Sequence, residues 1–492
     1  MLFGRGVSRD TFAWAASAAA RPHGGRPSLG QRWEKRVREG EPGADRAEAA
    51  RAAVAAPGRR RVARLGARSL ASIADQGAAA ALAFAASVAV GRVLGAEALG
   101  LFAMTGVLVL AIRQLQAGAI LEPMSVFGAR RPAADRGGYL GFVLALHGLG
   151  VGAPTLVLAA ATGLATAAGL VGSAGWAVVA ALVYANAVAL LNLLRRQFYV
   201  DERPDLALAQ SVAVLGLSLA GLVLLALAGR GASPAVGVVA VYGVLTAAAL
   251  LGLLVRGRRL AAAAARPGAV ARRRYLGEHR RYGAWSLLTV PAAIAAYQGY
   301  FVLAGVLSSV EESGLLKAAD TLVAPFAQVA IGLSLMFVPI VARRLAGDPA
   351  DRAAAGRIAH GLAAAMLALA LLYAALIVFV GDALIAFVFG RHMREAGELA
   401  LWLAPLPVTV ALQVPAAVML AAHGRADLRF RATAVAALAG TACGVPLIVG
   451  FGPTGAAAGL VLGQAVLAAG LWLAYRRCRR PPAGEAPPDG RS

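Results

Sequence analysis

Charge, cysteine and lysine are all scarce in this 492-residue chain, and each scarcity excludes something. Only 15% of the residues are charged, too few to coat a soluble protein of this size. The two cysteines, Cys443 in an apolar run and Cys478 in a basic tail, make no disulfide framework and match no metal-ligand spacing. Lysine occurs only as Lys35 and Lys317, so arginine carries nearly all the positive charge. There is no phosphate-binding glycine loop, no nucleophile constellation and no His/Cys/Asp/Glu cluster with metal spacing. No metal site and no cofactor is therefore expected. A membrane glycosyltransferase, ligase or polymerase would present catalytic groups on a sizeable external loop, and the loops that would be external are short. An enzyme is not expected.

What the chain has in abundance is apolar length. It is 59% hydrophobic, with a mean hydropathy of +0.68. Runs of about 20 apolar residues recur, each long enough to cross a hydrocarbon layer ~30 Å thick. Twelve such runs follow residue 67, at roughly 68–91, 99–121, 139–161, 173–194, 206–228, 234–255, 284–306, 314–341, 357–380, 399–421, 430–450 and 455–475. In lipid only helices or closed barrels satisfy the backbone, and unbroken runs of this length exclude barrel strands. The expected fold is all-α, a polytopic membrane protein of about twelve transmembrane helices. The apolar stretch at 383–389 is too short to span and is expected to begin an external interfacial segment ending near Glu398.

The formal net charge of +23 follows topology rather than a nucleic-acid surface. Alternate loops carry Arg130, Arg131 and Arg136; Arg195, Arg196 and Arg203; a block from Arg256 to Arg281; Arg343, Arg344, Arg352 and Arg357; and Arg425, Arg429 and Arg431. The intervening loops hold few basic residues or none. The positive-inside rule places both termini in the cytoplasm, and no nucleic-acid partner is expected.

A duplication underlies the twelve runs. The turn at 91–103, Gly-Arg-Val-Leu-Gly-Ala-Glu-Ala-Leu-Gly-Leu-Phe-Ala, has a weaker copy beginning at Gly305, 214 residues later. Glu122-Pro123 is matched by Val338-Pro339, Pro204-Asp205-Leu206 by Ala426-Asp427-Leu428, and Pro234 by Pro453, at offsets of 216, 222 and 219. The predicted organisation is a disordered basic cytoplasmic tail at 1–66, a six-helix bundle at 67–255, a basic cytoplasmic linker at 256–283, a second six-helix bundle at 284–476 and a cytoplasmic tail at 477–492. Six spans per half make the halves parallel, and transporters with such repeats hold cargo between them.

The turn at 91–103 resembles the first external turn of bacterial polysaccharide and oligosaccharide flippases, in the polysaccharide-transport branch of the multidrug/oligosaccharidyl-lipid/polysaccharide exporter superfamily. Three passages of the second half resemble the same family: Gly381-Asp-Ala-Leu-Ile-Ala-Phe-Val-Phe-Gly390 with Glu395-Ala-Gly-Glu-Leu-Ala400, Leu420-Ala-Ala-His-Gly-Arg425, and 451–460. The likeness covers about 62–476. It implies a flippase of the cell (inner) membrane that moves a polyprenyl-pyrophosphate-linked oligosaccharide outward for surface polysaccharide synthesis, with membrane lipids and assembly proteins such as a polysaccharide polymerase as partners. A cation-coupled multidrug antiporter of the same superfamily, or a non-transporting scaffold, is the alternative. Relatives often carry an acid in span seven, where this chain has Gln298-Gly299-Tyr300.

Ionisable groups inside a bilayer are costly and need a partner or a purpose. Arg113, beside Gln114, lies near the middle of span two, and Asp75 lies in span one. Two readings fit: an Asp75–Arg113 structural pair, or an Arg113 that lines a water-filled cavity and attracts an anionic head group. Gln328 is the rough counterpart of Arg113 in the second half. Lys317 and Asp320 stand three apart on span eight; they are read as a local pair or as site residues, Lys317 in contact with cargo and Asp320, like Asp75, a candidate for ion coupling. Tyr297, Gln298 and Tyr300 offer stacking and hydrogen bonding to sugars. Asn186, Asn192, Gln210, Gln413, Gln464 and His147 are read as interhelical hydrogen-bonding groups.

In a variant lacking Cys443 and Cys478, single cysteines at Ser309 and Gly397 should label from outside with an impermeant thiol reagent. One at Gly268 should label only after permeabilisation. External labelling at Gly268 would overturn the topology.

Overall fold

Helix is the only regular secondary structure among the described residues. A chain of lipid-length apolar runs requires this, because backbone groups in hydrocarbon have no partners but one another. The computed structural model describes residues 70–479 apart from 73, 129–130, 202, 229–232 and 346–347. The expected N-terminal tail and all but the first residues of the C-terminal tail lie outside them.

The first six helices are α1 (Leu70–Leu94), α2 (Ala96–Gly128), α3 (Ala134–Ala167), α4 (Ala174–Val200), α5 (Pro204–Leu227) and α6 (Pro234–Ala263). Next come α7 (Ala269–Ala296) and α8 (Gly299–Leu307), a broken span bent by 48°. The remainder are α9 (Val310–Leu345), α10 (Pro349–Val388), α11 (Glu395–Leu403), α12 (Leu406–Ala422) and α13 (Ala426–Arg479). With its 54 residues α13 is too long for one crossing, and it bends at Gly452 (φ 56°, ψ −134°). Glycine adopts that left-handed φ without steric cost, and Pro453 removes the N–H that would continue the ladder. Counting α7–α8 as one span, α11–α12 as one and α13 as two, the described residues hold twelve segments long and apolar enough to cross a membrane, as the apolar runs predicted.

Two expectations are corrected. The stretch at 383–389 is no separate interfacial segment but the end of α10, a helix of 40 residues. It contains no helix breaker, so the chain turns only at Gly390 (φ 100°). The basic stretch at 256–283 is mostly helix rather than loop. It is rich in alanine and arginine, both strong helix formers, and only 264–268 separate α6 from α7.

The tightest crossing joins α2 to α9 at the two repeated turns. A methyl group on Gly100 would overlap the carbonyl oxygen of Val310, and one on Gly314 would overlap that of Ala96. Positions 96 and 310, like 100 and 314, are 214 apart. The contact is therefore reciprocal: each copy's glycine receives the other copy's backbone. Close approach of this kind is how helices associate in lipid, where dispersion replaces the hydrophobic effect.

At its other end α2 opens into two π-turns, Ala117–Leu121 and Met124–Gly128, on either side of Pro123. Pro123 has no N–H to give to Ala119. His279 of α7 takes over that carbonyl, with Nδ1 3.0 Å from Ala119 O, while its Nε2 lies 2.9 Å from the Tyr139 hydroxyl of α3. This pairing suits a neutral ring, with Nδ1–H donating and Nε2 accepting. Burial holds the imidazole pKa below its ordinary value, which keeps that form. Arg131 completes the cluster: it pairs with Asp135 at 3.2 Å and with Glu278, and stands over the Tyr139 and Tyr275 rings.

Gly397 is buried against Asp382, so exposed Glu398 is the better external labelling position. At the α2–α9 crossing, Gly100→Ala and Gly314→Ala should each cost ~1–3 kcal/mol or more through overpacking. Melting of the purified protein in detergent should fall for both. Gly243→Ala, where an added methyl meets nothing within 4 Å, should leave it unchanged or raise it. Unaltered melting of both crossing variants would show that the contact does not hold the bundle together.

Candidate functional site

Small residues on one face of α1, including Ala78, Ala79, Ala83 and Ala86, leave room for a cavity of ≈ 300 Å³. Its walls are α1, α2, α4, α5 and α6, and it is closed by Gln298, by Phe301 of α8 and by Lys317 of α9. One wall is aromatic. Tyr242 packs on Phe102 and Tyr184 with ring centroids 5.1 and 5.6 Å apart, and its hydroxyl lies 3.1 Å from Thr105 Oγ1.

Among the described residues, the charged groups that face the cavity are Arg113, Arg195 and Lys317, and no carboxylate lines it. Two of the three cations are compensated from behind. Asp75, fully buried, accepts from Arg195 Nε (2.8 Å), from the Tyr199 hydroxyl (2.5 Å) and from Ser211 Oγ (2.5 Å), and forms an ion pair with Arg195, whose Nη2 lies 2.7 Å away. The Asp75–Arg113 pair, one of the two readings, is thus not formed. The physical reason is the length of α4, which continues through Arg195 to Val200 instead of ending at 194. Arg195 is carried into the bundle beside Asp75 and takes its carboxylate. Lys317 does pair with Asp320, at 2.7 Å, and the second carboxylate oxygen accepts from the Tyr297 hydroxyl at 2.6 Å. The Lys317 ammonium also stands 5.0 Å over the Phe301 ring.

Arg113 is different. Its Nε is buried and has no hydrogen-bond partner, and both amide atoms of Gln210, a residue only 5% exposed, are equally unpartnered. Each unsatisfied buried group costs ~1–3 kcal/mol. Both residues line the cavity, so a polar ligand there would recover that cost.

Of the residues singled out from sequence, the structure brings Arg113, Gln298 and Lys317 to the cavity. Gln114 is half-buried on α2 and does not line it. Tyr297 is spent on Asp320. Tyr300 is fully buried in a slot formed by Gly440, Gly444, Gly459 and Gly463, and donates to Gly440 O (2.6 Å) and Gly459 O (2.8 Å). Gln328 sits on an exposed face of α9, because one residue of register error turns a helical side chain by about 100°. Asn186, Gln413, Gln464 and His147 do make interhelical contacts: Asn186 with Gly152 O, Gln413 with Gln464, Gln464 with Ala296 O and His147 with Gln116. Gln210, by contrast, is a cavity residue without a partner.

Sequence reasoning missed Arg195, Tyr184 and Gln210 as lining residues. For Arg195 a signal existed: nothing between Leu193 and Asp201 breaks a helix, so the arginine had no reason to lie in a loop.

No protein-family model and no curated protein matches the chain by sequence. Its fold has solved counterparts. A multidrug resistance MATE family transporter of the MOP superfamily, in an inward-facing conformation, superposes with a TM-score of 0.65 and 16% identity over 80% of this chain and 93% of that one. The lipid II flippase MurJ, in an inward closed conformation, does so with a TM-score of 0.60 and 11% identity over 83% and 87%. A MOP superfamily transporter from Pyrococcus furiosus, described as having a binding pocket of reverse polarity, gives 0.56 and 16% over 83% and 94%. The fold is similar to that of these solved transporters. At such identities the likeness shows the architecture alone, a multi-pass bundle of membrane-length helices.

Arg195→Ala would strand the buried Asp75 carboxylate, at a cost of ~3–5 kcal/mol, and should lower both melting temperature and membrane abundance. Arg113→Ala removes no ion pair and should leave both near wild type. A loss of abundance in Arg113→Ala that Asp75→Ala restores would reinstate the Asp75–Arg113 pair.

Proposed function

We propose that this protein is a flippase of the cell membrane that carries a polyprenyl-pyrophosphate-linked oligosaccharide from the cytoplasmic to the external leaflet. The observation that supports this most is the sign of the cavity: three cations face it, no carboxylate does, and Arg113 Nε is unpartnered. A pyrophosphate is the anion that such a wall suits, since arginine presents a planar fork of N–H donors to phosphate oxygens.

The cations are also staggered in depth. At 1.5 Å per residue, Lys317 lies ~10 Å along α9 from the crossing end, Arg113 ~26 Å along α2 from the same end, and Arg195 ~8 Å from the opposite end of α4. An anionic head group passing outward would meet a cation in each third of the bundle. The aromatic wall of Phe102, Tyr184 and Tyr242 offers ring faces to the sugar. The lipid tail remains in the bilayer. A cavity of ≈ 300 Å³ is at the small end for ligand sites and suits a pyrophosphate with its first sugar. Passage of the rest requires the two bundles, 67–255 and 284–476, to rock about the Gly100–Gly314 crossing. A head group with two negative charges moving outward gains ~4–5 kcal/mol per 100 mV, inside negative.

The competing reading is a cation-coupled multidrug antiporter, which the MATE likeness and the aromatic wall favour. It calls for a carboxylate open to the cavity, and both Asp75 and Asp320 are turned onto cations and hydroxyls.

The deciding experiment is leaflet accessibility of a lipid-linked sugar in vesicles reconstituted with the protein. Arg113→Ala should abolish transport at normal abundance, and Arg113→Lys should retain part of it. Efflux of lipophilic cations without any exposure of the lipid-linked sugar would establish the antiporter instead.

A further inference from the structure

We propose a second anion site, at the basic end of the C-terminal helices, that binds the phosphate of an anionic phospholipid head group. A cavity of ≈ 660 Å³ opens there between the end of α9, the first turns of α10, and the ends of α12 and α13. Arg352, Arg357, His360, His423 and Tyr475 line it, and no carboxylate does among the described residues. The neighbouring acids are engaged elsewhere: Asp348 caps α10, Asp351 lies 3.4 Å from Arg344, and Asp427 is held by Arg425 at 2.9 Å. His360 and His423 each hold Nδ1 2.7 Å from the carbonyl four residues back, at Gly356 and Met419. Their Nε2 atoms are left for other contacts. The start of α10 adds the positive end of a helix dipole.

Comparison with the first bundle shows why this place is open. Gly141 on α3 is covered by the α6–α7 connection, so that an added methyl would overlap Ala265 O. Its counterpart 215 residues on is Gly356, where a methyl would meet nothing within 4 Å. The first bundle fills its groove with its own chain; among the described residues nothing fills the second.

Lipid, rather than free phosphate, fits the surroundings. Arg357 is exposed on the same side of α10 as Leu371 and Leu372, about 22 Å farther along and 56% and 70% exposed. A head group at Arg357 would leave its acyl chains along that side. Basic pockets between transmembrane helices at the positive-inside end are suited to anionic head groups.

The test is native mass spectrometry of the full chain from mixed micelles of equal phosphatidylglycerol and phosphatidylcholine. Wild type should retain phosphatidylglycerol preferentially. Arg357→Gln should reduce that preference roughly fivefold, the effect of one basic charge near a surface. Gly356→Leu, which fills the cavity and removes no charge, should reduce it as well. Arg431→Gln, outside the cavity, should leave it unchanged. Three results would overturn the proposal: undiminished preference in both cavity variants, displacement of the lipid by millimolar inorganic phosphate, or a gain in lipid on deleting 480–492, which would make the tail the occupant.

Discussion

The fold rests on a backbone contact that only glycine permits. Where α2 and α9 cross, Gly100 and Gly314 let each helix touch the other's carbonyl, at Val310 and Ala96. In lipid there is no hydrophobic force to press helices together, so distance of approach decides how much dispersion they gain. The same crossing brings Lys317 and Phe301 against the cavity that α1, α2, α4, α5 and α6 enclose. A bulkier residue at either glycine would push the second bundle away from the site it helps to close.

Charge inside this bundle follows a simple economy of solvation. A buried carboxylate in hydrocarbon is tolerated only when fully hydrogen-bonded, and Asp75 and Asp320 are placed so. Each has a cation and a hydroxyl on its oxygens, Arg195 with Tyr199 and Ser211 in one case, Lys317 with Tyr297 in the other. Because the acids stand behind and the cations in front, the cavity sees positive charge without the bundle carrying much of it. Arg113 and Gln210 break the pattern, keeping buried polar atoms unmet at a cost the fold alone does not recover. Sites that bind polar ligands are where such cost is retained.

The MATE and MurJ structures carry different functions on one architecture, a multidrug transporter and a lipid II flippase. Architecture therefore does not name a function; side-chain chemistry at the site has to be read for that. That this cavity lacks a facing carboxylate and presents arginine is the feature on which the functional reading turns.

The sequence by itself determined the class of fold, because apolar runs of membrane length admit no structure but helices and the arginine-rich loops alternate with them. It also suggested a repeat, and its 214-residue offset is the spacing of Gly100 and Gly314, which meet in the structure. It located Arg113, Gln298 and Lys317, since a charged or amide group deep in an apolar run stands out against its neighbours. Partners were another matter. Asp75 went to Arg195 and not to Arg113, Tyr300 went into a glycine slot, and Gln328 turned to the exposed face of its helix. Those outcomes depend on where each helix ends and on its rotation about its own axis. A change of one residue turns a side chain by about 100°, and only the packing of neighbouring helices selects the angle.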